Sequence, residues 1–446
     1  GTEIPRPEPG QDGPSEELSE QQQRVLALIE QLTNDIPVDP EERSPEQQAR
    51  WILAYILDWH RRENKAVWWE KFRLQALSGI ELLEEKAGIG RLQLIDVVET
   101  SKTGIPTHRY RFVAQDTDIR GDEGLHNVGG DKIGTAVAVS SENQTVDIKK
   151  SKATADVHPE AVFAHKFIDP KEQAASLFRL GEYVAENGIE GDGPYKSARE
   201  LLLRAPMEIG GEPFKADGEG TLDAALRVAG KMNGGVLPIQ GPPGTGKSFT
   251  GARMICELVR QGKKVGITAN SHKVIRNLID KVIEAAPKMG VDLTCLQKPE
   301  QGNKEADGPN LIFAKNNDDV LGKLASSEAQ VAGATHFFWA REDAFEAIDV
   351  LVVDEAGQMS LANVLAVSQA AQTVILLGDP QQLEQPTQGT HPDGTGVSAL
   401  DHLLGGSQTI EPSQGLFLGT TYRLHPEICA FNSELFYESK LHAVEG

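Results

Sequence analysis

Eight residues, Gly241-Pro-Pro-Gly-Thr-Gly-Lys-Ser248, have the types and spacing to hold the phosphates of a nucleotide. Glycines let the backbone curl so that successive N–H groups point at phosphate oxygens. Lys247 adds a point charge for β- and γ-phosphates, and Ser248 offers a hydroxyl to Mg²⁺. The apolar run Gly235-Val-Leu-Pro-Ile-Gln240 precedes this loop, and a helix-compatible run from Phe249 to Arg260 follows it. Strand, loop and helix in that order bring the positive end of a helix to the phosphates. The candidate nucleotide contacts are therefore Gly241, Pro242, Pro243, Gly244, Thr245, Gly246, Lys247, Ser248 and Phe249.

Three later segments add groups that hydrolysis needs. Ile348-Asp-Val-Leu-Val-Val353 is an apolar run ending in Asp354-Glu355-Ala-Gly-Gln358. An acidic pair there suits a metal held through Asp354 and an attacking water oriented and deprotonated by Glu355; the plain alternative is a solvated strand end. Thr373-Val-Ile-Leu-Leu-Gly-Asp-Pro-Gln-Gln-Leu383 ends a strand in Gly378-Asp379 and supplies amides, Gln382 among them. Such amides can hydrogen-bond a phosphate and a lytic water without adding charge. Thr420-Thr-Tyr-Arg-Leu-His-Pro-Glu-Ile428 supplies Tyr422, which could stack on a base, and Arg423, which could stabilise transition-state charge at the γ-phosphate. Out of context, both would more often be surface or packing residues.

The elements that must position these groups alternate. Strand candidates fall at Val236–Gln240, Val265–Ala269, Leu311–Ala314, Val331–Thr335, Val350–Val353 and Val374–Leu377, with helical stretches between them. Continuous apolar runs suit strands buried on both faces of a parallel sheet. The expected class is α/β: a RecA-like P-loop parallel sheet sandwiched by helices, preceded by a helical region and a small β-barrel on a helical stalk. The expected boundaries are 1–20 as a disordered tail, 21–89 as a helical accessory region and 90–168 as the barrel. Residues 169–232 are the stalk and lead-in helix, 233–420 the RecA-like lobe, and 421–446 the start of a further lobe. Within 21–89, Trp51, Ile52, Tyr55, Ile56 and Trp59 recur at helical spacing and Trp68, Trp69 and Phe72 follow; core packing is the first expectation for such a stripe, and base stacking the second.

Composition sets limits. At 446 residues the chain can hold two to four domains, and no apolar stretch reaches membrane-spanning length, so a cytoplasmic protein without a membrane partner is expected. Cys256, Cys295 and Cys429 lie far apart and read as reduced core thiols. The net charge of −22 runs against phosphate binding overall, although local basic clusters such as His60-Arg-Arg62 and Lys149-Lys-Ser-Lys152 remain. Gly1 at the start and the run-off from Asn432 to Gly446 suggest a piece of a longer protein.

GPPGTGKS, DEAGQ, GDPQQL and TYRLHPEI, in this order, resemble the ATPase motifs of superfamily 1 helicases. The resemblance is to the branch containing the nonsense-mediated-decay helicase and the replication nuclease-helicases. It implies ATP and Mg²⁺ as cofactors, Tyr422 on adenine, Gln358 and Gln382 coupling the γ-phosphate to the strand site, and Arg423 as an arginine finger. It implies Lys247, Glu355, Gln382 and Arg423 as the catalytic set, Ser248 and Asp354 as metal ligands, and 5′-to-3′ movement along a single strand. Ile267-Thr-Ala-Asn-Ser-His-Lys-Val-Ile275 and Gly333-Ala-Thr-His336 are similar to strand-contacting segments, which implies Ser271, His272, Lys273 and Thr335 as nucleic-acid contacts. Leu57-Asp-Trp-His-Arg-Arg-Glu-Asn-Lys65 with Trp68-Trp69 is similar to bacterial proteins in which a RecB-type nuclease precedes the helicase, so a nuclease domain on the same parent chain is an implied partner. Single-stranded DNA is favoured over RNA on that ground. One departure is that the upstream adenine-reading Gln is not evident in Leu222-Asp-Ala-Ala-Leu226. Two rival readings stand beside the helicase: an ATP- and nucleic-acid-binding module with little turnover, and a P-loop ATPase that remodels a protein partner.

Overall fold

The computed structural model describes residues 19–300, 308–382 and 386–444. The tail expected at 1–20 lies outside them except for Ser19 and Glu20, as do Leu383 and the last two residues. The chain forms two compact units, one of residues 61–169 and one of 1–60 with 170–446.

Three helices come first: α1 (Glu20–Thr33), α2 (Pro45–Ile56) and α3 (Trp59–Ala76). Ser19 with Gln22, and Ser44 with Gln47, form reciprocal caps that satisfy the free N–H groups opening α1 and α2. The boundary between the units falls near the start of α3, after His60.

In the unit 61–169, seven strands follow: β1 (Gly88–Ile89), β2 (Gln93–Thr100), β3 (Pro106–Arg111), β4 (Gly124–Asn127), β5 (Lys132–Ser140), β6 (Thr145–Lys150) and β7 (Val162–Ala164). They pair antiparallel in the order β1-β7-β4-β5-β6-β3-β2 around Tyr110, Phe112, Leu125, Ile148 and Val162. Among the described residues no ladder joins β1 to β2, so the pairings give an open sheet and do not establish the barrel closure expected from the strand runs. Every residue of the edge strand β2 is exposed.

The other unit continues with α4 (Lys171–Asn187), α5 (Lys196–Leu203) and α6 (Thr221–Ala229). Strands and helices then alternate: β8 (Gly235–Gln240), α7 (Lys247–Arg260), β9 (Val265–Thr268), α8 (His272–Met289), β10 (Cys295–Gln297), β11 (Leu311–Phe313), α9 (Asn317–Ala325), β12 (Val331–Gly333) and α10 (His336–Trp339). After these come β13 (Val350–Asp354), α11 (Leu361–Ser368), β14 (Thr373–Gly378), α12 (Ala399–Leu404), β15 (Leu416–Phe417) and, last among the helices, α13 (Pro426–Phe436). The eight strands pair in parallel in the order β11-β10-β12-β9-β13-β14-β8-β15.

Successive side chains of a strand point to opposite faces, and the two cores follow that rule. Leu351 and Val353 of β13 join a cluster with Leu32, Ile52, Leu53, Leu177 and Leu201. Val350 and Val352 join another with Ala225 of α6, Ile255 of α7 and Ile279 of α8. Each fully buried side chain of this size stabilises the fold by about 1.5–3 kcal/mol. Helices α1, α2, α4 and α5, expected as an accessory region and a stalk, thus contribute to the core that covers one face of the parallel sheet. Polar ties reinforce this: Ser176 Oγ donates to the Ala366 carbonyl at 2.7 Å, and His402 Nε2 lies 3.0 Å from the Leu201 carbonyl.

Register sets the site. Gln240 lies opposite Gly378, and Asp354 opposite Leu377, so β8, β13 and β14 end along one edge of the sheet.

Candidate nucleotide site

The loop 241–246 leaves β8 and turns into α7. Gly244 and Gly246 have φ of +79° and +85°, the left-handed region that L side chains avoid. A Cβ on Gly244 would stand 2.3 Å from Arg423 Cβ, so glycine there also lets the segment after Thr421 close on the loop. That closure is bonded: Tyr422 N donates to the Gly244 carbonyl at 3.0 Å, and Thr421 Oγ1 to the Pro243 carbonyl at 2.8 Å. Lys247 Nζ donates to the Gly241 carbonyl at 2.8 Å, and Gly241 N to the Gly378 carbonyl at 2.9 Å.

Around the loop lies a cavity of about 1250 Å³. Pro242 to Phe249, Glu355, Gln358, Gln382, Tyr422 and Arg423 line it, so the four motifs named from sequence meet at one place. Gln381, the other amide of the Gly378–Leu383 motif, lines it too, and the cavity has a wall that the motifs did not indicate: Arg253 of α7 and Lys281, Glu284 and Lys288 of α8. Helix packing brings that wall in, and no local sequence signal marks it. Gly241 and Asp354 stand beneath the lining, Asp354 only 3% exposed.

Burial, with the neighbouring Glu355 charge, pushes the Asp354 carboxyl up to about 7. A cation beside the carboxyl would reverse that balance. Glu355 has a φ of +53°, an uncommon backbone for a residue with a side chain, and its N–H donates to Asp354 Oδ1 at 3.0 Å. This turn separates the two acids, one into the strand end and one onto the cavity wall. Among the described residues no group of three or more His, Cys, Asp or Glu side chains forms a ready metal cage.

Asp379, at the end of β14, is buried, and burial raises its pKa. It accepts from Tyr437 Oη at 2.9 Å and, at 3.4 Å, from Gln382 Nε2, which holds the Gln382 side chain. The sequence placed an acid there but did not foresee the Tyr437 partner, 58 residues away.

The four residues proposed for strand contact lie at the same sheet edge, after β9 and β12, and outside the cavity lining. Ser271 caps α8 by accepting from Val274 N at 3.2 Å, Lys273 is exposed, and burial lowers the pKa of His272. Thr335 occupies the N-cap of α10 without a side-chain cap bond. Asn270 Nδ2 donates to the Gln358 carbonyl at 2.6 Å, linking the loop after β9 directly to the cavity wall. Asn270 lay inside a quoted motif, but its role was not read from it.

Residues 223–393 match the AAA domain family. The chain is similar to DNA polymerase alpha-associated DNA helicase A of Schizosaccharomyces pombe, at 24% identity over 255 residues, covering 46% of this chain and 37% of that protein. It is similar also to the DNA replication ATP-dependent helicase/nuclease DNA2 of Gallus gallus, at 29% over 216 residues, 46% of this chain and 20% of that one. A shorter match, 35% over 94 residues, is to the 5'-3' DNA helicase ZGRF1 of Mus musculus, covering 21% of this chain and 5% of that one. The chain spans well under half the length of these curated relatives. Among solved structures, the Arterivirus nonstructural protein 10 helicase aligns with 82% of this chain and 61% of its own at 12% identity and a TM-score of 0.36. At that score the fold assignment stands on the strand order alone. Among the described residues no helix is long and apolar enough to cross a membrane.

Proposed function

We propose that this chain, a superfamily 1 helicase in its motor region, hydrolyses ATP with Mg²⁺ and couples the reaction to movement along a single strand of nucleic acid. The observation that carries this reading is the single cavity where Lys247, Glu355, Gln382 and Arg423 converge at the ends of parallel strands. When bound, ATP with Mg²⁺ supplies the γ-phosphoryl group and the charge that metal must hold. Ser248 and Asp354 are the groups to hold that metal. Glu355, aimed at the cavity by its left-handed backbone, orients a water and takes its proton. Lys247 and Arg423, both in the cavity lining, would offset the negative charge of the transition state, and Tyr422 offers a 76%-exposed ring to the base. Gln382, held by Asp379, and Gln358, tied to the β9 loop through Asn270, are suited to pass the state of the γ-phosphate toward Ser271, His272, Lys273 and Thr335.

Single-stranded DNA travelled 5′ to 3′ is the substrate of this reading, since the relatives described are named as DNA helicases and one as a 5'-3' enzyme. A nuclease domain on the same parent chain and a cytoplasmic setting belong to it too. The test is Mg²⁺–ATP hydrolysis with and without single-stranded DNA or RNA, beside Glu355→Gln. Strand-stimulated turnover that the substitution abolishes is the expected result; undiminished turnover in Glu355→Gln contradicts the site. Tight ATP binding without stimulation would favour a binding module, or, given the charge of −22, an ATPase acting on a protein.

A further inference from the structure

Helix α3 has one face packed and one face open. Leu74 is buried with Leu82, Ala161 and Phe163. On the other side Trp68, Trp69 and Phe72 are 37%, 58% and 49% exposed. The chain after β7 brings Phe167 and His165 to the same face. Trp68 lies 5.1 Å from Phe167, 6.1 Å from Phe72 and 6.2 Å from His165, centroid to centroid. An open set of rings on a soluble protein costs solvation and calls for a ligand.

The charge around the rings identifies its chemistry. Lys71 Nζ stands 4.9 Å over the Trp68 ring, and Lys65 and Lys166 are exposed on the same two segments. Among the described residues none of these three lysines is in an ion pair. The nearby carboxylate of Glu70 is already bonded by Arg73, whose other side holds Glu85. Residues 61–169 carry 16 Lys and Arg against 17 Asp and Glu, a net charge of −1 in a chain whose total is −22. The acidic excess therefore lies elsewhere. Interleaved rings and unpaired cations match unstacked bases on a phosphate backbone.

We propose that the face formed by α3 and segment 165–168 is a stacking platform for single-stranded nucleic acid, with Trp68, Trp69 and Phe167 taking bases and Lys65, Lys71 and Lys166 taking phosphates. It rests on the reading of the chain as a strand-acting motor and adds a second strand site to it. Sequence tolerance follows, because every base offers a ring face.

The experiment is fluorescence anisotropy of a labelled oligothymidylate with the whole chain, Trp68→Ala/Trp69→Ala, Trp68→Phe/Trp69→Phe and Lys71→Ala, each over a salt series. The alanine pair should weaken binding by about five- to a hundredfold, the phenylalanine pair should keep most of it, and Lys71→Ala should lower the salt slope by about one. Circular dichroism melts that match wild type exclude unfolding of the variants. If wild type binds and the alanine pair binds equally well, the platform is overturned, the motor reading stands, and the aromatic face belongs to a protein partner. If wild type shows no salt-dependent binding at all, both the platform and the strand-acting motor are overturned.

Discussion

Two stretches of the N-terminal helices carry the same kind of aromatic spacing and meet opposite fates. In α2 and at the start of α3, Ile52, Ile56 and Trp59 are buried in the core on one face of the parallel sheet, Trp59 at 5% exposure. Nearly three turns further on, in the unit 61–169, Trp69 is 58% exposed. The units differ in the same way in their sheets: β13 and β14 are buried along their whole length, while β2 leaves Leu94, Ile95, Val97 and Val98 nearly half exposed. A helical or strand period reports that a face is apolar; what covers the face depends on segments distant in the chain. Trp59 is covered by stacking on His391, whereas Trp68 meets Phe72, His165 and Phe167 at tilted angles with Lys71 over its ring.

Substitution should separate the two stretches most sharply. Trp59→Ala is expected to destabilise the parallel-sheet unit by about 3–5 kcal/mol, whereas Trp69→Ala should stay within about 0.5 kcal/mol. Equal losses in urea melts would break the comparison.

Acid should also act on the parallel-sheet unit first. Burial depresses His60 to about 3, and His336 and His402 to about 4, from 6.5. With folded-state pKa values below the unfolded one, protons bind the unfolded chain preferentially. The stability that neutral histidine contributes is complete above about 6.5 and is lost as pH falls toward about 4. Hydrogen exchange at about pH 7 and about pH 5 should show protection lost around these three residues ahead of β5 and β6. Uniform loss would contradict the assignment. The smallest expected effect is at the loop after β14: Tyr437→Phe removes the donor to Asp379 and should cost about 1 kcal/mol, read as a melting shift with Gln382 loosened.

These contrasts explain how much the sequence disclosed. The meeting of loop 241–246 with Asp354-Glu355 at one sheet edge was legible because strand, loop and helix are contiguous there. The parallel sheet was legible from apolar runs such as Val350–Val353. The Arg253 and Lys281 wall, the Asp379–Tyr437 pair and the Asn270–Gln358 link were not, because each joins elements far apart in the chain; the last spans 88 residues. The helices at 20–56 and 171–203 read as an accessory region and a stalk because an amphipathic stripe looks alike whether it covers its own small core or a neighbouring sheet.

The central claim is that the edge shared by β8, β13 and β14 is a nucleotide site. Calorimetric titration of Mg²⁺–ATP into the protein and into Lys247→Ala tests it most directly. One site per chain, weakened about tenfold or more by the substitution, is the predicted result. Equal affinity in the two proteins would contradict it.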